Sequence, residues 1–414
     1  MADAEKIELT SDQEAEFQRQ WKVLSFGVSE ITPEPEFRDM LRHSIKEDKP
    51  LRVKCGIDPT GFDVHLGHLV PYKKMRQFQD LGHLGVVIIG DYTASIGDPT
   101  GKDVSRSSLT ADQVRANART YMDQVYTVLD RNRTEVCYQT EWFEEVGLRD
   151  IIGWAAETTC AKLLSHDTFA KRLEEGSPLA LHELFYPVLQ GIDSVFVKAD
   201  VELGGSDQKF NVLMGRDYQK HRNMRPQVAM LLPIITGTCG SQKMSKSLNN
   251  YIAIQDDPFD KFGKIMSIPD ELMADYFRYV SSLNTDEIEQ TIAGLEKGTL
   301  HPNETKKMLA MNVVDFFHGE GSGIEMREKF ESVFKKGGVP DDAPESEFER
   351  GALLIDILLD AGLVPSKKEA RRMVQANAVG VVDGDKITDI EKVLDDSFAG
   401  KVIKVGKRKF LKLK

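Results

Sequence analysis

Cysteine is scarce in this sequence. The four cysteines, Cys55, Cys137, Cys160 and Cys239, lie far apart among 414 residues and form no C-x-x-C pair. Their spacing argues against a disulfide framework and a zinc site, so no metal ligands are assigned, and it suits a reducing cytosol. Long hydrophobic runs are also missing: none approaches the roughly 20 residues that a membrane-spanning helix needs, so no membrane partner is expected. The opening "MADAEKIELT" is acidic, has no arginine and leads into no apolar core. Neither a signal peptide nor an organellar transit peptide is expected from it, which leaves the cytoplasm as the default compartment. Internal repeats and low-complexity tracts are absent. With 41% hydrophobic residues and a mean hydropathy of -0.35, a chain of this length can bury a large core and form more than one domain.

The net charge of -12 argues against nucleic acid binding by the body of the chain. The last fourteen residues, "KVIKVGKRKFLKLK", carry seven positive charges and no acid, which fits one RNA-contacting end.

Along the chain, "LRVKCGI" reads as a short strand, "LVPYKKMRQFQDLG" as an amphipathic helix (Leu69, Tyr72, Met75, Phe78) with Pro71 near its start, and "LGVVIIGDY" as a buried strand. Strand, helix and strand make a βαβ unit, hence an α/β fold with a parallel sheet and right-handed crossover. Residues 103–185 read as mainly helical, and "SVFVKADVELGGSDQ" and "VAMLLPIIT" as mixed structure. Helical pattern returns over 258–336, with a cap at Asn284-Thr285-Asp286. The stretch 337–351, "GGVPDDAPESEFERG", reads as an acidic linker ahead of a last small domain at 352–414.

"DPTGFDVHLGHLV" places His65 and His68 at i and i+3 where the first strand gives way to the helix, with Gly67 between them. Ligands of parallel sheets sit at the carboxyl ends of strands, and a helix start offers N–H groups to an anion. Taken singly, such a histidine is as often a cap or a surface residue; as a pair they can donate to phosphate oxygens. Far downstream, "SQKMSKSLNN" holds Lys243 and Lys246 among small hydroxyl residues, a loop able to grip β- and γ-phosphates. A lysine–serine loop alone is usually solvated surface. Together HLGH and KMSKS resemble the two signatures of class I aminoacyl-tRNA synthetases.

"LHELFYPVLQGIDSV" puts Tyr186, Gln190 and Asp193 at i, i+4 and i+7, a polar stripe that an apolar helix carries only for a polar ligand. Followed by "GGSDQ" (Gly204–Gln208), it resembles the tyrosyl-tRNA synthetases. The resemblance implies that Tyr186, Gln190 and Asp98 hold the substrate ammonium group. It implies further that Asp193 accepts from the phenol hydroxyl with Thr93 lining that end, and that Gln208 lies near the substrate carbonyl. Cys55, Asp58, Thr60, Gly67, Gly205 and Asp207 fall at the ATP, and Lys102 and Arg106 on a loop that helps hold pyrophosphate. Singly each has an ordinary reading, Asp98 in a turn or Lys102 as a solvated charge; their shared order along the chain is what the family explains. Where the family often has a tyrosine ahead of the CG of the first strand, this sequence has Lys54, so hydroxyl recognition is expected to rest mainly on Asp193.

The resemblance implies a Rossmann-type catalytic domain over 1–257 with a helical insertion, a helical anticodon-recognition domain over 258–336 and an S4 RNA-binding domain over 352–414. In the last, Lys367/Arg371 and Lys368/Arg372 form i,i+4 basic pairs opposite Ala370, Met373 and Val374, followed by a hairpin-like "VGVVDGDKITD". Implied substrates are L-tyrosine, ATP with Mg²⁺ and tRNA(Tyr), and the family is homodimeric through its helical insertion. Two other readings share parts of the pattern. Tryptophanyl-tRNA synthetases share the fold, but Asp193 and GGSDQ favour tyrosine. A non-catalytic RNA-binding relative would have no use for HLGH, KMSKS and Asp98.

Overall fold

The computed structural model describes all residues except 1–6, 60–63, 100–110, 336–342, 383 and 407–408. Thr60, Lys102 and Arg106 therefore lie outside the described residues, as do Lys407 and Arg408 of the basic tail. The chain forms two compact units, one made of 1–255 with 268–300 and the other of 256–267 with 301–414.

The first unit is built on a six-stranded sheet: β1 (Glu30–Thr32), β2 (Arg52–Ile57), β3 (Leu84–Ile89), β4 (Thr134–Tyr138), β5 (Val201–Gly205) and β6 (Val228–Leu232). Their spatial order is β1-β6-β5-β2-β3-β4; β1 runs antiparallel to β6 and the other pairs are parallel. β3 and β6 are near-continuous apolar runs because helices cover both faces of a parallel sheet. The helix Leu66–Asp80 joins β2 to β3 as the sequence predicts, burying Leu69, Tyr72, Met75 and Phe78. It starts earlier than expected, so Pro71 lies inside it and cannot donate to the Gly67 carbonyl.

The described part of 103–185 is mainly helical, but it also holds a strand: "TEVCY" forms β4 at the sheet edge beside β3. Its five residues are hidden in a run of helical pattern. Residues 268–300, expected in the helical domain, pack with the first unit. The buried Tyr276 hydroxyl donates to the Thr236 carbonyl (2.9 Å), Lys73 donates to the Ser281 carbonyl and Lys22 pairs with Asp286. The cap at Asn284 is present, its side chain accepting from Glu287 N at 3.0 Å ahead of the helix Thr285–Glu296.

The second unit contains the helices Pro258–Met266, Pro302–His318 and Ser322–Lys335, and then a sheet in the order β7-β10-β9-β8. These strands are β7 (Glu345–Ser346), β8 (Val379–Val381), β9 (Val402–Val405) and β10 (Lys409–Leu413). β7 pairs with β10, so part of the expected 337–351 linker is sheet. The basic tail is likewise no loose extension: Ile403, Val405, Phe410, Leu411 and Leu413 are buried, while Lys404 and Lys412 alternate with them. Beside this sheet, Leu354, Leu358, Ala370 and Val374 form the core of the last eighty residues or so.

Candidate active site

β2 has β3 on one side and β5 on the other, and the chain order departs in opposite directions from it. Such a switch point opens a crevice at the carboxyl ends of the strands. A cleft of about 940 Å³ lies there, and every described residue assigned above to ATP or tyrosine lines it. Cys55 and Asp58 come from the end of β2, His65, Gly67 and His68 from the helix that follows, and Thr93 and Asp98 from the loop after β3. Tyr186, Gln190 and Asp193 come from the helix Phe185–Phe196, Gly205, Asp207 and Gln208 from the end of β5, and Lys243 and Lys246 from the loop after β6.

His65 is the N-cap of its helix and His68 the third residue inside it, and their rings stack with centroids 3.6 Å apart. Burial, followed by the His68 and Lys246 charges, lowers the His65 pKa to about 2; burial and Lys246 lower that of His68 to about 4. Both rings are therefore neutral at pH 7 and can serve a ligand as hydrogen-bond donors rather than as cations.

The two signatures touch. Gly67 N donates to Met244 Sδ at 3.3 Å, and Leu66 N donates to the Ile252 carbonyl at 2.9 Å. A β-carbon on Gly67 would stand 3.1 Å from the His65 ring and 3.5 Å from Met244 Cβ, so a side chain at position 67 would crowd the stacked ring. Asn250, buried, holds the lysine loop from below: its Oδ1 accepts from Ser245 N at 2.8 Å and its Nδ2 donates to the Lys243 carbonyl at 3.0 Å.

At the closed end of the cleft Asp193 is 3% exposed. Gln139 Nε2 donates to one of its oxygens at 2.8 Å and Trp142 Nε1 to the other at 3.2 Å. Burial raises its pKa to about 7, against the opposing pull of Lys54 and Gln139. Gln139 Oε1 in turn accepts from Tyr92 N (3.2 Å) and Thr93 N (3.0 Å). Beneath Gln190 and Asp193, Lys54 and Glu202 pair at 2.9 Å, both essentially inaccessible. Gln139, Trp142, Glu202 and Asn250 were not reached from the sequence. The one available signal for Gln139 was its place just past a strand end, and β4 was not recognised as a strand.

Toward the middle of the cleft the Tyr186 hydroxyl donates to Asp58 Oδ2 at 3.0 Å, Thr93 Oγ1 donates to Asp58 Oδ1 at 2.7 Å, and Gln208 Nε2 donates to Asp98 Oδ2 at 2.7 Å. Burial pushes the Cys55 thiol up to about 12, so it lines the cleft as a neutral group. Burial raises the Asp207 pKa, against the opposing pull of the Lys243 charge. A β-carbon on Gly90 would fall 2.1 Å from Asp58 Oδ1 and 2.4 Å from Thr93 Oγ1. Gly90→Ala is accordingly expected to break the Asp58–Thr93 bond and cost about 1–3 kcal/mol, read as a lower midpoint in thermal or urea unfolding.

In the second unit, Ser366 caps the helix Lys367–Gln375 by accepting from Glu369 N at 3.2 Å. Its four basic residues are not equivalent. All four are exposed, but Lys367 pairs with Asp356 at 2.9 Å and Arg372 with Glu369 at 2.6 Å. The hairpin-like stretch is present in part, with Ile387 N donating to the Val379 carbonyl at 2.9 Å; Asp383 lies outside the described residues.

Comparison with known proteins bears on this cleft. Residues 46–335 match the family model "tRNA synthetases class I (W and Y)", and 335–413 match "Tyrosine--tRNA ligase SYY-like C-terminal domain". The tyrosine–tRNA ligase of Moorella thermoacetica is 45% identical over 401 residues, 97% of each chain. That of Thermotoga maritima is 42% identical over 396 residues, 96% of this chain and 97% of the other. Among solved structures, the Archaeoglobus fulgidus tyrosyl-tRNA synthetase complexed with L-tyrosine shares the fold at TM-score 0.60 and 20% identity, covering 75% of this chain and 99% of that one. A Plasmodium falciparum tryptophanyl-tRNA synthetase shares it at TM-score 0.55 and 15% identity, covering 76% and 89%. The stacked histidines, the lysine loop against them and these full-length matches lead to one conclusion: the chain belongs to the class I tRNA synthetases, in the family of the tyrosine–tRNA ligases.

Proposed function

We propose that the chain is a tyrosine–tRNA ligase that activates L-tyrosine with ATP and transfers it to the 3′ end of tRNA(Tyr). The observation that carries this is the direct contact of the HLGH and KMSKS segments at one end of a cleft whose other end is a buried, doubly held Asp193. A neutral pocket would suit an indole; a buried carboxylate needs a donor, and the tyrosine hydroxyl is one.

In the first step a tyrosine carboxylate oxygen attacks the α-phosphorus of ATP and pyrophosphate leaves, giving tyrosyl-adenylate. Tyr186, Gln190 and Asp98 hold the ammonium group, and Asp207 takes the ribose. The neutral His65 and His68 donate to phosphate oxygens, while Lys243 and Lys246 offset the charge that grows on departing pyrophosphate. Lys102 and Arg106 are assigned the same task. Mg²⁺ arrives with the nucleotide as part of the substrate and screens its phosphates. In the second step the terminal ribose hydroxyl of tRNA attacks the adenylate carbonyl and AMP leaves.

The C-terminal residues act as an S4-type RNA-binding domain, with exposed Lys368 and Arg371 meeting phosphates first; the pairing of Lys367 and Arg372 with acids favours that order. The helical residues before them take the anticodon side, the working enzyme is a homodimer, and it acts in the cytoplasm. Among the described residues no helix is long and apolar enough to cross a membrane.

Charging of a tRNA(Tyr) transcript with labelled tyrosine tests the proposal; a folded protein that charges no tRNA with tyrosine would remove it. A pH prediction accompanies it. Above pH 7 Asp193 is a carboxylate that accepts a charge-assisted bond from the phenol; as pH falls through about 7 it takes up a proton and that bond becomes a weaker, neutral one. The KM for tyrosine is expected to be flat at pH 8 and to climb as pH falls through about 7, while the KM for phenylalanine stays level. Steady-state kinetics of both amino acids from pH 5.5 to 8.5 read this out.

A further inference from the structure

Lys54 and Glu202 are register partners on the adjacent parallel strands β2 and β5, and their side chains meet at 2.9 Å with exposures of 0% and 1%. An ion pair taken fully out of water is costly, and hydrophobic residues in its place are often neutral or stabilising, so its presence calls for a use beyond stability. Its neighbours indicate that use. Lys54 Nζ donates to the Gln190 carbonyl at 2.9 Å and to Ser194 Oγ at 2.7 Å. Ser194 Oγ donates to Glu202 Oε2 at 3.1 Å, Gln190 Nε2 donates to Glu202 Oε1 at 3.1 Å, and Gln227 Nε2 also donates to Glu202. Every one of these bonds to the helix Phe185–Phe196 grips it within four residues of Asp193, at the turn that presents Asp193 to the cleft.

We propose that Lys54 and Glu202 are positioning residues for tyrosine selection: the pair pins the polar edge of the helix to the sheet so that Asp193 and Gln190 meet the substrate in register. The sequence position that often supplies a tyrosine in this family here acts through the backbone and side chains beneath the pocket. Lys54 also faces Asp193 electrically. The groups around that carboxylate are Lys54 from β2, Glu202 from β5, Gln139 and Trp142 from the segment after β4, and Tyr186 from its own helix; of the charged ones Lys54 favours ionisation most and Glu202 opposes it.

The inference rests on the assignment of this cleft to tyrosine activation, so wild-type protein is assayed first for pyrophosphate exchange with tyrosine and with phenylalanine. No exchange with tyrosine removes that assignment itself. Given wild-type exchange, Lys54→Met/Glu202→Gln, which leaves no buried charge, is expected to raise the tyrosine KM and lower the tyrosine-over-phenylalanine ratio of kcat/KM by about tenfold or more, the scale of couplings within one polar network. The KM for ATP is expected to hold. The pH below which the tyrosine KM climbs should rise from wild type to the double variant and further in Lys54→Met alone. Ser194→Ala, which removes one hydroxyl and keeps both charges, answers if the charge variants do not fold, with a loss of about threefold in the same ratio. Unchanged ratios in folded variants, or equal losses with both amino acids, would overturn the proposal and leave the pair a structural feature.

Discussion

Lys246→Ala is expected to lower tyrosine-dependent pyrophosphate exchange by about 10²–10³-fold, the usual cost of removing one preorganised donor from developing transition-state charge. Lys246 lines the same cleft as the stacked histidines, close enough to depress both their pKa values, and in the proposed reaction it meets the phosphates there. Its interaction strengthens as the bridging oxygen takes on the charge of leaving pyrophosphate, so the loss should fall on kcat rather than on the KM for ATP. RNA affinity, measured by filter binding, should be unchanged. Equal exchange in variant and wild type would mean that the loop is surface, whatever its sequence resembles. Burial remains the first cause of the low histidine pKa values, so the two imidazoles stay neutral in the variant and the loss should not vary between pH 6 and 8.

Asp193→Asn is expected to reduce the tyrosine-over-phenylalanine ratio of kcat/KM by about 100-fold, the value of a hydrogen bond to a buried charged group at about 3 kcal/mol. The substitution is nearly isosteric, but the amide offers one acceptor where the carboxylate offers two. Gln139 and Trp142 both donate to this side chain, so a new amide nitrogen must face one of them. Most of the loss should appear in kcat/KM for tyrosine, with phenylalanine little affected, since phenylalanine has no hydroxyl to lose. Activation of both amino acids falling together would instead mean that the helix had moved.

These effects divide along what was legible in the sequence. HLGH, KMSKS and the Tyr186–Gln190–Asp193 stripe could be read because each is a short contiguous pattern, and the structure gathers all three at one cleft. Strands β2 and β3 could be read because both are apolar runs flanking a clear helix. β4 could not, since its five residues sit among helices and owe their extended form to pairing with β3. The loss of β4 hid Gln139 and Trp142, whose partner Asp193 is remote in the chain. Lys54 stood out as unusual but had no partner in view, because the register that sets it against Glu202 exists only once β2 and β5 are side by side. The boundary at 258 failed for a similar reason: the helical pattern of 268–300 says what it forms, not what it packs against, and Tyr276 is tied to Thr236. The basic tail showed its lysines and concealed its alternation with Ile403, Val405 and Leu413.

The most direct measurement is exchange of labelled pyrophosphate into ATP, without tRNA, in the presence of tyrosine, phenylalanine or tryptophan in turn. Exchange with tyrosine, at least about 10²-fold above either of the others, is the expected result, because only its hydroxyl repays the buried Asp193 carboxylate. Exchange with tryptophan, or none with any amino acid in folded protein that binds ATP, would contradict the assignment of this cleft to tyrosine activation.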